Sequence, residues 1–136
     1  MVCLYCESQT KVGNSRPQKN ANQVWRRRKC SRCGAVFTTH EAIDLSSTLL
    51  VASRGHTQPF LVDMLYTELL FAMSHRKDAY RDAREATKTV IGHLLQLPGK
   101  PLFSPSQISS VTSGVLKKLD HRAHLRYTAE HPSLQS

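Results

Sequence analysis

Four cysteines in two Cys-x-x-Cys pairs constrain the fold of this chain more than any other feature. Cys3 and Cys6 form the first pair, Cys30 and Cys33 form the second, and 23 residues separate the two pairs. Two such pairs supply four thiolates, which is the ligand set of a structural, tetrahedral Zn²⁺ site. The spacing therefore predicts a zinc ribbon, a small antiparallel β module held together by the metal.

Other uses of paired cysteines match this chain less well. Two disulfides would require an oxidising compartment, and no signal peptide precedes the first pair. A thioredoxin-type redox motif uses a single Cys-x-x-Cys beside a βαβ pattern, which this basic, turn-rich segment lacks. Iron is a further alternative, and His40 could compete as a ligand, although four thiolates already complete the shell. We therefore expect Zn²⁺-bound thiols and a cytoplasmic protein.

Positive charge is concentrated around the cysteines. The 136-residue chain has a formal net charge of +9, and residues 1–41 hold eight Lys or Arg against only Glu7 and Glu41. A basic segment of this density attracts polyanions and releases counterions when it meets nucleic acid. No apolar run approaches the roughly 18–20 residues that a membrane-spanning helix needs. The charge pattern favours a nucleic-acid partner and argues against a membrane protein.

One basic run is the main candidate for contact with double-stranded DNA. The predicted contacts are Arg16, Arg26, Arg27, Arg28 and Lys29. Arginine can bind a phosphate or the O6/N7 edge of guanine with two parallel hydrogen bonds. On a strand, however, alternate side chains face opposite ways, so only about half of the run can touch one ligand. A solvated basic face is the alternative. Trp25 could stack on a base, but we expect it to pack over the metal knuckle.

The fold class predicted from the whole chain is α+β. Strands are expected around the second cysteine pair, at residues 23–27 and 35–39, with turns over residues 13–22. Farther on, strands at 47–53 and from 57, joined by a turn at 54–56, precede helices at about 61–73, 77–97, from 105 and at 121–130. The domains are then a zinc ribbon over residues 1–44, a β-hairpin with three or four helices over 45–130, and a polar tail over 131–136.

No catalytic motif stands out in the sequence. Serine, histidine and aspartate are plentiful, but no nucleophile elbow, metalloprotease helix or Walker A sequence is present. We therefore do not expect an enzyme.

The order and spacing of these motifs resemble those of the bacterial ribonucleotide-reductase transcriptional repressors, the NrdR family. That family has a Cys-x-x-Cys pair, an Asp-Ser-Arg element, a run of arginines, a second pair and an Arg-Phe-Thr-Thr-Tyr-Glu element. The matching elements here are Asn14-Ser15-Arg16, Arg26-Arg27-Arg28-Lys29, Val36-Phe37-Thr38-Thr39-His40-Glu41 and, in the last helix, Leu119-Asp120 with Ala123, Arg126 and Tyr127. The resemblance implies a zinc ribbon joined to an ATP-cone, homo-oligomers controlled by ATP and dATP, and repression of reductase genes.

The second domain departs from the family pattern where nucleotide phosphates are expected to bind. A basic Lys-Lys/Arg-Asp-Gly turn of the family corresponds to Ala52-Ser53-Arg54-Gly55, and a helix lysine corresponds to Met64. The resemblance puts candidate contacts for ATP or dATP at Val51, Ser53, Arg54, Gly55 and Phe60. Most of the ammonium groups that would pair with a triphosphate are missing. Besides a nucleotide-controlled repressor, two alternatives stay open: a zinc-ribbon adaptor for a protein partner, with a degenerate cone, and an RNA-binding ribbon.

Overall fold

The computed structural model describes residues 1–99 and 101–134, apart from the side chains of Ser53 and Ser133. The chain divides into two compact units, Met1–Asp44 and the remainder from Leu45 onward. Each unit has its own sheet, and each is described by itself below.

The first unit is a three-stranded antiparallel sheet. Strands β1 (Thr10–Gln18), β2 (Gln23–Cys30) and β3 (Val36–Ala42) lie in the order β1-β2-β3, so β2 is central. A short 3₁₀ turn, Lys19–Ala21, joins β1 to β2, and Asn22 adopts a left-handed conformation with φ 46° at its end. The cysteine pairs lie at the end of the sheet opposite this turn. The first unit is therefore a long hairpin with a third strand and with thiols at its base.

The prediction of turns over residues 13–22 was wrong for most of that stretch, because Thr10–Gln18 forms one strand of nine residues. Gly13 is accommodated as an irregularity, since the pairing register with β2 shifts between Val12 and Asn14. Pro17 is tolerated because β1 is an edge strand and needs no hydrogen-bond donor on its outer side. Glycine and proline therefore shape this strand without ending it.

The second unit combines a small mixed sheet with four longer helices. Its strands are β4 (Leu50–Ser53), β5 (His56–Pro59) and β6 (Leu102–Phe103), in the order β5-β4-β6, with β6 parallel to β4. The helices are the single turn α1 (Leu45–Thr48), then α2 (Val62–Ala72), α3 (Ala79–Leu95), α4 (Pro105–Leu119) and α5 (His121–Glu130). This matches the predicted α+β class with a hairpin and helices.

Two local predictions for the second unit need correction. Ser47 and Thr48, expected at the start of a strand, belong to helix α1, and the strand begins only at Leu50. The two-residue strand β6 was not predicted at all. At the C-terminus, Pro132–Leu134 forms a 3₁₀ turn and Leu134 packs against the core. The last two residues of the predicted tail, 135 and 136, lie outside the described residues.

Local capping explains where the later helices begin. The Ser104 hydroxyl accepts a hydrogen bond from the backbone N–H of Gln107 at 3.2 Å, and the Gln107 side chain accepts one from the Ser104 N–H at 2.8 Å. This reciprocal pair, with Pro105 in the first turn, is a capping box, and it confirms the predicted helix start. Asp120 caps α5 in a similar way through the N–H of Ala123.

The core of the second unit lies between its sheet and the helices. Apolar side chains from α2, α3, α4 and α5 meet those of β4 and β6, and the fully buried ones include Leu49, Leu69, Met73, Val90, Leu94 and Leu116. Burial of this apolar surface is what holds the unit together. Within residues 1–99 and 101–134, no helix is long and apolar enough to cross a membrane.

Candidate metal centre and nucleic-acid interface

The four cysteine sulfurs converge on one point at the base of the first unit. Sγ atoms of Cys3, Cys6, Cys30 and Cys33 all lie within 4.8 Å of one another. The Cys3–Cys33 and Cys6–Cys30 sulfur pairs are 3.6 and 3.5 Å apart, and all four thiols are free. Four thiolates at about 2.3 Å from a tetrahedral zinc ion would be about 3.8 Å apart. The donor set and its spacing therefore fit Zn²⁺.

Both cysteine pairs are built as matching tight turns. The residue after each pair has a positive φ, 56° at Glu7 and 73° at Gly34. Backbone N–H groups turn inward and donate to sulfur: Arg32 N–H to Cys30 at 3.3 Å, and Tyr5 N–H to Cys3 at 3.5 Å. Glycine adopts this left-handed conformation readily, so Gly34 suits its turn, whereas the residue type of Glu7 gives no signal for it.

The acidity of the thiols differs across the cluster, because the sulfurs and the backbone around them interact. A backbone hydrogen bond from Ser8, with help from other neighbours, lowers the pKa of Cys6 to about 6. A backbone hydrogen bond from Ala35 also lowers the pKa of Cys33, but the neighbouring sulfurs and burial outweigh it and raise that pKa to about 12. One thiolate thus forms readily and a later one is opposed by like charge. A divalent cation removes this opposition, because it stabilises all four thiolates together.

The register of the first sheet sorts the basic run onto two faces. Arg27 and Lys29 are exposed, whereas Arg26 and Arg28 are half-buried on the other face of β2. Arg16 of β1 lies directly opposite Trp25, so it belongs to the face that carries Arg27 and Lys29. The five residues predicted as DNA contacts therefore divide into a group of three and a group of two.

The two arginines on the half-buried face already have partners within the sheet. Arg26 forms an ion pair with Glu41, with Nη2 2.8 Å from a carboxylate oxygen. Arg28 donates from Nε to the Thr39 hydroxyl at 3.2 Å. Both partners come from β3. These hydrogen bonds tie the central strand to its neighbour and leave the two guanidinium groups less free to meet a ligand.

We call the opposite surface of the sheet the basic face. It carries Trp25 and those side chains of the three strands that lie on the same side of the sheet as Trp25. Reading from the metal end, its rows are Lys11–Lys29–Val36, Asn14–Arg27–Thr38 and Arg16–Trp25–His40. Every one of these side chains except the half-buried Trp25 is exposed. Lys11 was not among the predicted contacts, because only the β1–β2 register shows that it lies beside Lys29.

The expectation for Trp25 fails on this geometry. Trp25 does not pack over the metal knuckle, because five residues, roughly 17 Å of strand, separate it from Cys30. His40, which could have competed as a metal ligand, is an exposed residue opposite Trp25, and the metal-binding group within the described residues consists of the four cysteines. Both side chains instead belong to the basic face.

The predicted nucleotide contacts of the second unit occupy two different environments. Arg54 and Gly55 form the exposed two-residue turn between β4 and β5, with φ values of 49° and 83°. Val51 and Phe60 are buried, and they line a pocket of about 230 Å³ with side chains from α2, α4 and α5. The side chain of Ser53 lies outside the described part of the structure. The turn and the pocket therefore offer different chemistry.

The pocket is poorly suited to a triphosphate. Among the described residues that line it, none is Lys or Arg, and the ionisable side chains are Glu68, Tyr127 and His131. Burial raises the pKa of Glu68, and His131, 3.8 Å away, only partly opposes this. A carboxylate in this position repels phosphate, and one imidazole is little compensation. The described lining of this pocket therefore offers no cation to an ATP or dATP polyphosphate.

Known proteins resemble the chain in both units. Residues 1–41 match the family described as transcriptional repressor NrdR-like, N-terminal domain. The chain is 32% identical over 130 residues to the transcriptional repressor NrdR of Brucella anthropi, covering 95% of this chain and 82% of the relative. It is 33% identical over 130 residues to that of a Chelativorans species (95% and 84% covered), and 31% over 136 residues to that of Chromobacterium violaceum (99% and 89%).

Proposed function

Because the chain belongs to the NrdR family of transcriptional repressors, we propose that it is a zinc-dependent repressor that binds double-stranded DNA through the basic face of its first sheet. Zn²⁺ held by the four cysteines fixes the base of the hairpin and so presents this face. We further propose that the targets include ribonucleotide reductase genes, that the protein acts as a homo-oligomer in the cytoplasm, and that it catalyses no reaction.

The observation that carries this proposal is the unpaired charge of the basic face. Lys11, Arg16, Arg27 and Lys29 are all exposed there, and none of them forms an ion pair within the described residues. Cations without protein partners are free to replace the counterions condensed on DNA, and this replacement supplies much of the binding free energy. Arg26, by contrast, is already neutralised by Glu41.

The test compares two neighbouring arginines that lie on opposite faces. Fluorescence anisotropy would measure binding of the zinc-loaded protein to a labelled reductase-promoter duplex at several salt concentrations. Replacing Arg27 with Ala should lower the slope of log affinity against log salt by about 0.9 for each bound ribbon. Arg26→Gln is the matched control, and its slope should stay close to that of the wild type.

Two outcomes would contradict the proposal. An equal decrease of the salt slope in the two variants would show that the basic face is not the binding surface. Salt-insensitive binding, or no binding to any duplex, would refute DNA binding itself. Competition with single-stranded RNA of equal length would separate a DNA-binding from an RNA-binding ribbon.

A second candidate function follows from the lack of cations among the described residues of the pocket that Val51 and Phe60 line. If a nucleotide must bind in this pocket, the second unit is a poor ATP sensor, and it would then serve for oligomerisation or for docking a protein partner. DNA titrations with no nucleotide, with ATP, and with ATP plus dATP separate the cases. An affinity that changes with nucleotide supports a sensor. An unchanged affinity supports a repressor that has lost its effector, and absent DNA binding favours a protein adaptor.

A further inference from the structure

The basic face changes in character along the length of the hairpin. At the metal end, Lys11 and Lys29 lie side by side across β1 and β2. Four residues farther along β2, the row Arg16–Trp25–His40 crosses all three strands. Each of its members has a planar polar group, a guanidinium, an indole or an imidazole. Lysine is thus confined to the metal end of the face, the row at the other end has only planar polar groups, and Asn14 and Arg27 lie between them.

These two groups of side chains suit different parts of a DNA duplex. A lysine ammonium is a flexible point charge, suited to a phosphate but poor at telling one base from another. A guanidinium can bind the O6/N7 edge of guanine with two hydrogen bonds. An imidazole can donate from one ring nitrogen and accept at the other, so it too can distinguish base edges.

The distance between the two groups is long enough to connect the interior of a groove with the phosphates at its edge. Four residues of extended strand separate Trp25 from Lys29, which is about 13 Å. The major groove of B-DNA is about 12 Å wide and admits a two-stranded β-ribbon. With the Arg16–Trp25–His40 row within the groove, the lysines therefore reach the phosphates along its edge.

We propose that the Arg16–Trp25–His40 row reads the sequence of the operator, while Lys11 and Lys29 supply affinity that is independent of sequence. Within the row, the half-buried Trp25 is the central residue, and strand pairing places Arg16 on one side of it and His40 on the other. Arg16 and His40 are both exposed, so they are free to meet adjacent base pairs. This inference rests on the proposed function and assigns separate roles within the same face.

The chemistry of His40 makes the assignment testable at a single position. His40→Tyr exchanges the imidazole for a phenol. A phenol and an imidazole place their hydrogen-bonding atoms at different distances from the backbone. The base preferred opposite His40 should therefore differ from the one preferred by a tyrosine, with the rest of the operator left unchanged.

The experiment is a binding-site selection from a randomised duplex library, followed by affinity measurements on single-base variants of the selected site. The wild type is compared with Arg16→Lys, His40→Ala, His40→Tyr and Lys29→Ala, each loaded with zinc. Arg16→Lys keeps the charge, so it should reduce discrimination at one position by about five- to hundredfold and leave the salt slope unchanged. His40→Tyr should change the preferred base at one other position, and His40→Ala should abolish the preference there.

Lys29→Ala is the control for affinity without sequence reading. It should weaken binding to all duplexes by the same factor and leave the selected motif intact. Unchanged motifs in Arg16→Lys and His40→Ala, or a changed motif in Lys29→Ala, would overturn the inference while leaving DNA binding in place. If the wild type selects no duplex at all, the proposed DNA-binding function itself is refuted, and the inference about sequence reading is refuted with it. Zinc content and thermal melting of each variant verify that these exposed substitutions leave the fold unchanged.

Discussion

Asp120 is the most highly connected carboxylate in the second unit, and its replacement makes a quantitative prediction. One oxygen accepts the N–H of Ala123 at 2.9 Å and caps α5. The other accepts from Arg76 at 2.8 Å and lies 3.1 Å from Nε2 of His75. The side chain is only 12% exposed. Through these contacts the carboxylate joins the loop between α2 and α3 to the start of α5.

The cost of losing Asp120 can be estimated contact by contact. Loss of an N-cap costs about 1 kcal/mol, and loss of a hydrogen bond to a charged group costs about 1.5–3 kcal/mol. Asp120→Ala should therefore lower the free energy of unfolding by about 2.5–4 kcal/mol. Asp120→Asn keeps a capping oxygen, so it should cost about 1 kcal/mol less. Asp78→Asn removes a surface ion pair with the mostly exposed Arg81, and this control should cost under about 1 kcal/mol.

The effect should also depend on pH in a defined direction. The hydrogen bond from Ala123 and the contacts with Arg76 and His75 hold the pKa of Asp120 well below its usual range. The folded-state pKa lies below the unfolded value of about 3.9, so the stabilisation is complete above that value and declines as the pH falls. Urea unfolding followed by circular dichroism at pH 7 and pH 3 measures both effects. The reasoning is refuted if Asp120→Asn behaves like Asp78→Asn at pH 7, or if its deficit grows at pH 3.

Three other predictions concern the metal, one turn and the pocket. Chelation of zinc, or Cys30→Ser, should unfold the first sheet and abolish DNA binding, because structural zinc supplies most of the folding free energy of such modules; unchanged anisotropy would contradict this. Gly55→Ala should destabilise the protein by about 1 kcal/mol because φ is 83° there, whereas Gly92→Ala in helix α3, where a Cβ meets nothing within 4 Å, should stabilise it by up to about 1 kcal/mol. Both are measured by urea unfolding, and equal signs would be inconsistent with the turn geometry. In calorimetry, the wild type should bind ATP no more tightly than adenosine, because the described pocket lining has no Lys or Arg, and Met64→Lys should favour ATP over adenosine about tenfold. A wild type that prefers ATP would show that a cation outside this lining binds the phosphates.

Features set by short-range spacing were predictable from the sequence. The cysteine cluster follows from two Cys-x-x-Cys pairs, and the start of α4 follows from Ser104, Pro105 and Gln107. Alternation along β2 correctly indicated that only part of the basic run shares one face. In each case the signal lies within a few residues of the structure that it determines.

Features set by pairing between distant strands were not predictable in the same way. Lys11 joins Lys29, and His40 joins Trp25, only because of the register of three strands. The same pairing makes a strand of a segment in which Gly13 and Pro17 suggest turns. The ion pair that occupies Arg26 depends on Glu41, 15 residues away in sequence. Local patterns carry no record of such partners.

The strand β6 has a consequence for the order in which the protein acquires structure. Its parallel pairing joins Leu50 to Leu102, so the second sheet can close only after a segment of about 50 residues has been synthesised and brought back, at the entropic cost of a long loop. All pairings of the first sheet, in contrast, lie before residue 43 and connect neighbouring strands. During synthesis from the N-terminus, the unit that carries the basic face is therefore complete while the second unit is still being made. A chain that stops before Leu102 would therefore have a complete first sheet and a second unit that lacks the third strand of its sheet.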